Sequence, residues 1–259
     1  MNIGAQLYTV RDFTQTEAGI ASTLQKVSEI GYRFVHCSRL GPIGPSRLRD
    51  LLDQNGLQCV VTHTDPERIL KDAAGIINEH RVLGCDSVGL SMMPERYRGS
   101  LEGLRAMIHD YTPSVRAILD AGLTFHYHNH DVEFIRSGHM TLLDILLAEM
   151  PEIKLMMCAF WVQVGGGDPI DWIERYGHRM RHVHLKDMAT RPADVGCGRM
   201  MMPVLEGNMN YRGIIKACAK TKTIENLLVE QDTCDGDPFE CLRISFENLT
   251  ALLQAMQLS

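Results

Sequence analysis

The chain has 259 residues, 45% of them hydrophobic and 22% charged, with a formal net charge of −6. Its length suits one α/β barrel of about 250 residues, and the acidic balance, without any basic run, excludes a general affinity for nucleic acid. The opening MNIGAQLYTV lacks the regions of a signal peptide, no apolar run approaches the ~20 residues that span a bilayer, and the eight cysteines show no paired spacing, so the expectation is a cytoplasmic protein with reduced thiols.

In chain order, short apolar runs alternate with longer amphipathic segments. The predicted strands are IGAQLY from Ile3, FVHCS from Phe34, QCVVTH from Gln58, SVGLS from Ser87, TFHYH from Thr124, KLMMC from Lys154, RHVHLK from Arg181 and LLVEQ from Leu227. Segments such as GIASTLQKVSEIGY and LEGLRAMIHDYTPSVRAILDAG place apolar residues at i, i+3 and i+4, the helical spacing. Several of these segments close on glycine just before the next strand, as in EIGY, VLGCDS and DAGLTF, where glycine accepts the left-handed position that ends a helix. Eight strand–helix units without a break in composition predict one domain over 1–259, a closed (β/α)₈ barrel. An open doubly wound sheet is the alternative, but no GxGxxG follows the first strand. VQVGGGDP reads as a tight turn after a strand, and MATRPADVGCGRMMMPVLEGN, after the seventh strand, as a long loop over the active face.

In such a barrel the C-terminal strand ends meet at one mouth. The first strand brings Gln6 and Tyr8, the second His36 and the third His63. The fifth ends in FHYHNHDVEF and brings His128, Asn129 and His130, with Glu133 beyond. The sixth brings Cys158 and Trp161, the seventh His184, Lys186 and Asp187, and the eighth Glu230 and Asp232. Any single histidine here is more often a hydrogen-bonded structural residue than a ligand. Glu230 is harder to set aside, because a carboxylate at the end of a buried strand needs a partner or a cation. Histidine with carboxylates from neighbouring strands suits Mn²⁺, Mg²⁺, Co²⁺ or Zn²⁺.

These motifs, in this order, resemble the xylose-isomerase-like TIM-barrel proteins called sugar phosphate isomerases/epimerases: GAQLYTVRD, VTHT, YHNHDVEF, WVQVGGGDP, HVHLKDM, LEGNMNYRGIIKAC and LLVEQD span nearly the whole chain. The resemblance implies a divalent metal at the mouth, held by Glu, Asp, His and Glu. By motif the histidine is His184 and the last glutamate Glu230, while the first acid is Glu133 or its place is taken by His128. Relatives read Asp-x-x-Trp where this chain reads CAFW, so Cys158 stands at the aspartate. A thiolate there favours Zn²⁺ or Cu(I) over Mg²⁺ and Mn²⁺; otherwise Cys158 is a buried space-filler.

The implied reaction is proton transfer beside a carbonyl through an enediolate; since the sequence shows no phosphate cradle, an unphosphorylated sugar, keto-sugar or cyclitol is the expected substrate. Glu230 or Glu133 would move the proton, and His128, His130 and Lys186 would serve as second acid/base or bind hydroxyls. Gln6, Tyr8 and His63 are expected to bind substrate, Trp161 to form its apolar wall, and Glu206 matches the family's Gly-Glu-Gly position. Dehydration of a keto-sugar or inosose shares the intermediate, and a non-catalytic sugar-binding relative that lost its metal with the aspartate is the third reading. The oligomeric state, a homo-oligomer included, is not set by these motifs.

Overall fold

A computed structural model describes residues 1–194 and 196–258. Eight parallel strands close into a barrel: β1 (Asn2–Gln6), β2 (Phe34–Cys37), β3 (Gln58–Thr64), β4 (Ser87–Leu90), β5 (Thr124–His128), β6 (Lys154–Cys158), β7 (His182–Leu185) and β8 (Asn226–Val229), with β1 paired to β2 and β8. All eight coincide with apolar runs in the sequence, and the closure rules out the doubly wound alternative. The helices between them include α1 (Glu17–Ile30), α2 (Pro45–Gln54), α3 (Pro66–Lys71), α4 (Ala73–Leu83), α5 (Leu101–Asp120), α6 (Leu142–Glu149), α7 (Ala159–Val164), α8 (Pro169–Tyr176), α9 (Tyr211–Lys220) and α10 (Pro238–Ala255). Their ends follow side-chain chemistry: Thr16, Ser100 and Asn210 each accept a backbone N–H of the first turn, and Pro66, Pro169 and Pro238 each follow a capping aspartate. Among the described residues no helix is long and apolar enough to cross a membrane.

Period-two alternation sorts the strand residues. Outward ones such as Val35, Phe125, Tyr127, Leu155, Val183 and Leu227 join the main core against the helices. Inward ones stack in layers. The floor holds His126, hydrogen-bonded to Thr124, and His182 beside Ser87 and Asn226. Above it Val60, Val61, Met156 and Leu228 form a separate apolar plug with Phe34. The next inward positions, at the C-terminal strand ends, are the polar mouth.

Two local features fit this packing. Gly89 in β4 carries no Cβ because one would lie 2.4 Å from the Thr62 carbonyl oxygen and 3.3 Å from the His63 ring. In β3 the pairing with β2 shifts by one residue, Cys59 lying opposite Val35 but Val61 opposite His36. Val60 and Val61 therefore both face the barrel interior, and the bulge re-aims the rest of β3 so that His63 points into the mouth.

Two expected loops differ. The Gly-rich turn joins α7 to α8 and not a strand to a helix. After β7 the chain forms an antiparallel ribbon, Asp187–Pro192 against Cys197–Met202; Val195 of that segment lies outside the described residues.

Candidate active site

At the mouth a chain of buried polar groups runs from β8 across β7 to β2. His184 Nδ1 donates to Glu230 Oε2 at 2.7 Å, since a carboxylate can only accept. His184 Nε2 then carries the lone pair, and His36 Nδ1 donates to it at 3.0 Å. The same Glu230 oxygen meets the Lys186 ammonium at 3.1 Å, and Lys186 reaches Asp232 at 2.8 Å. Burial opposes ionisation of Glu230, but Lys186 and His184 outweigh it and hold the carboxyl well below the usual range. Burial likewise works against the Lys186 charge, and the Glu230 and Asp232 carboxylates more than restore it.

Around this chain stand more imidazoles. His128 Nδ1 donates to the Ser91 carbonyl at 2.9 Å, which leaves its Nε2 as an acceptor. The His63 ring lies edge-on to His36 with centroids 4.1 Å apart, and His130 lies 5.0 Å from Trp161, over which Lys186 also sits at 5.7 Å. Burial first, and then the neighbouring cations and imidazoles, push His36, His63 and His128 well below the ordinary imidazole range and His130 down to about 3. Five of these groups keep a buried nitrogen without a protein partner: His36 Nε2, His63 Nε2, His128 Nε2, His130 Nδ1 and Trp161 Nε1. An unpaired buried polar group costs ~1–3 kcal/mol, so their concentration in one place marks a surface shaped for a polar ligand.

Several expected site residues sit elsewhere. Glu133 is fully buried, but its carboxylate accepts from Tyr127 Oη at 2.6 Å and from the His130 N–H at 2.7 Å. Tyr127 faces outward from the barrel, so Glu133 braces the loop after β5 and neither a metal-ligand nor a proton-carrying role fits it. Cys158 faces inward, yet burial pushes its thiol up to about 12 against the pull of Lys186. Among the described residues it joins neither group of converging donors, so the geometry favours the space-filling thiol over the metal ligand. Glu206 is exposed and accepts from Asn248 Nδ2 of α10 at 2.9 Å. Gln6 is wholly buried, accepting the Tyr8 N–H at 2.9 Å and donating to His63 at 3.3 Å; both ends of its amide are used within the protein. Tyr8 lies in the turn after β1 with the Arg11 guanidinium over its ring.

Asp187 has a part that spacing did not reveal: it accepts the backbone N–H groups of Met188, Leu205, Gly207 and Met209. It thereby fixes the segment after the ribbon, including Leu205 at φ 74°.

Among the described residues two overlapping sets of donors lie within 4.8 Å of one another, His128–His184–Glu230 and His36–His63–His184. The first fits a divalent cation better. Metal-bound imidazoles donate their second nitrogen to an acceptor, as His128 and His184 do, whereas His63 Nδ1 faces the donating amide of Gln6. Two imidazoles with one carboxylate suit Mn²⁺, Co²⁺ or Zn²⁺ better than Mg²⁺.

The closed barrel and its motif order agree with comparison to known proteins. A family model described as xylose isomerase-like TIM barrel matches residues 24–236. The chain belongs to that family. Among solved xylose isomerase-like barrels and other structures, it resembles a sugar phosphate isomerase/epimerase from Parabacteroides distasonis at 19% identity and TM-score 0.79, over 96% of this chain and 97% of the other. It also resembles a probable 3-DHS dehydratase from Bacillus anthracis, at 15% identity and TM-score 0.73 over 96% and 99% of the two chains. A third is an L-ribulose 3-epimerase, at 12% identity and TM-score 0.76 over 99% and 96%. No curated protein sequence matches this one.

Proposed function

We propose that this xylose isomerase-like barrel is an isomerase or epimerase that moves a proton beside the carbonyl of a small carbohydrate, a sugar or keto-sugar. The observation that carries this reading is the convergence of His128, His184 and Glu230 within 4.8 Å at the barrel mouth. Only Glu230 Oε2 is engaged by His184 and Lys186, which leaves the second carboxylate oxygen for a ligand or a proton. His128 Nε2, a buried lone pair, is placed to receive a proton from carbon, and a base of this kind contributes ~10²- to 10⁴-fold. Lys186 stabilises the oxyanion that forms as the proton leaves, in a site where burial strengthens its field. His130 and Trp161 wall the pocket on the β5–β6 side, with ring nitrogens free for hydroxyls.

In holding a divalent cation, His128, His184 and Glu230 would commit the His128 Nε2 lone pair and the His184 Nε2 lone pair that otherwise accepts from His36. His128 would then be a ligand and no longer the base. The chemistry the cation would supply is Lewis-acid polarisation of a carbonyl and its neighbouring hydroxyl. The same intermediate serves dehydration, and the likeness to a barrel named a probable 3-DHS dehydratase favours that as the second reading. Incubating the protein with ketoses, keto-sugars and inososes in D₂O tests both. Deuterium gained at the carbon beside the carbonyl, with a rate lost in Glu230→Gln, supports isomerisation or epimerisation. Loss of water with appearance of an enone supports dehydration. Binding of a sugar with neither change would mean a non-catalytic relative.

A further inference from the structure

We infer that His63 acts in this site as a hydrogen-bond donor through Nε2, locked in that tautomer by Gln6, and that its target is the carbonyl oxygen of the bound sugar. This rests on the proposed reading of the mouth as a carbohydrate site. The lock begins in the backbone. The Tyr8 N–H can only donate, so the Gln6 atom 2.9 Å from it is the amide oxygen. The amide nitrogen is thereby turned to His63 Nδ1, 3.3 Å away. An NH₂ group only donates, so Nδ1 must accept. Ser38 Oγ, 3.2 Å from the same nitrogen, can donate to it as well. The one hydrogen of the uncharged ring is left on Nε2, which is buried and has no protein partner.

Its surroundings make this donor distinct from the rest of the site. His36 Nε2 and His128 Nε2 are left as acceptors by the hydrogens their rings commit to His184 and to Ser91. His63 is set edge-on to His36 and 5.4 Å from His128, centroid to centroid. Of the three mouth imidazoles His36, His63 and His128, only His63 thus presents an N–H and the other two present lone pairs. A hydroxyl can satisfy either kind of group, but a carbonyl oxygen can satisfy only the donor. The pattern therefore orients an α-hydroxy carbonyl compound, with its C=O at His63 and a hydroxyl at a lone-pair nitrogen. When the α-proton leaves carbon, negative charge grows on the oxygen that this N–H holds, and no proton passes from His63. A neutral imidazole in this role works as a preorganised donor. Gln6 is a positioning residue: it acts through His63. The bulge in β3 that turns His63 inward serves the same end.

The test is a long-range ¹H–¹⁵N correlation spectrum of protein labelled in histidine, with the His63 signals identified by their loss in His63→Gln. The expected result is hydrogen on Nε2 in the wild type and on Nδ1 in Gln6→Glu, whose second oxygen would accept from Nδ1. Gln6→Leu, which removes the lock without adding charge, gives a mixture and serves if Gln6→Glu fails to fold. With D-ribulose as probe, Gln6→Glu is expected to slow deuterium exchange by ~10²- to 10³-fold in kcat with a smaller change in KM. The wild type should bind D-ribulose more tightly than the corresponding alditol, and the variant should lose that preference. Hydrogen on Nδ1 in the wild type overturns the inference whatever the protein turns over. A locked Nε2–H with no preference for the ketose overturns the assignment to a carbonyl. Absence of exchange with any carbonyl compound, the tautomer being as expected, is instead the failure of the broader isomerase reading and takes the catalytic role of His63 with it.

Discussion

At the scale of single residues, the mouth is organised by one shared oxygen. Glu230 Oε2 lies 2.7 Å from His184 Nδ1 and 3.1 Å from Lys186 Nζ, with Lys186 and Glu230 only 2% and 4% exposed. Two ions this deep persist because each is the other's partner, and removing one leaves an uncompensated charge. Lys186→Met is therefore expected to destabilise the fold by about 3 kcal/mol, read from the urea midpoint. Lys186→Met combined with Glu230→Gln should recover part of that loss, because the stranded charge is gone. A double variant as unstable as the sum of the two singles would show that Lys186 contributes through packing of its stem and not through the ion pair. Cys158 marks the contrast: inward-facing like Glu230 but holding its proton, it adds no charge to this balance.

At the scale of elements, Asp187 joins the barrel to the ribbon that follows it. Its two oxygens take four backbone N–H groups, from Met188, Leu205, Gly207 and Met209, at 2.8–3.2 Å. Asp187→Ala would leave these donors without an acceptor, and the expected cost is about 2 kcal/mol, together with faster proteolysis between residues 197 and 210. Unchanged proteolysis would mean that the ribbon alone holds the segment. The strands themselves were legible from the sequence, since runs such as FVHCS and KLMMC pair a short apolar stretch with a polar end, and glycine closes the helices between them. The ribbon was not, because its residues alternate neither at two nor at 3.6, and its partner strand lies in the same segment. Nor was the bulge in β3, which depends on the register with β2 and decides which way His63 points. Glu133 failed for a related reason. Its spacing from YHNH placed it near the mouth, but only the outward direction of Tyr127 shows which hydrogen bonds it makes. His184 and Glu230 were legible because period-two alternation from a strand already recognised carries each to the inner face.

At the scale of the molecule, the barrel interior is unusual in being lined by uncharged imidazoles at both its floor and its mouth, with the plug of Val60, Val61, Met156 and Leu228 between them. His36, His63, His126 and His128 are held well below the ordinary range chiefly by burial, and His130 and His182 at about 3. In the unfolded chain each would titrate near 6.5. As pH falls below that value the unfolded chain takes up protons that the folded one refuses, so the unfolded state is favoured. The stability these groups contribute is fully present above about pH 6.5 and is lost as pH falls toward their folded values, by up to ~1.4 kcal/mol per histidine per pH unit. The losses of the several buried histidines act in the same direction. The expected outcome for the metal-free protein is a urea midpoint nearly flat from pH 8 to 7 that drops steeply between pH 6.5 and 5, with proton uptake on unfolding seen by calorimetry in buffers of different ionisation heat. Replacing the floor pair, as His126→Gln with His182→Gln, should make that slope shallower while leaving the mouth in place. A midpoint independent of pH over this range would mean that the imidazoles take up protons in the folded barrel as readily as in the unfolded chain, and the arrangement of donors and lone pairs at the mouth would then have to be redrawn.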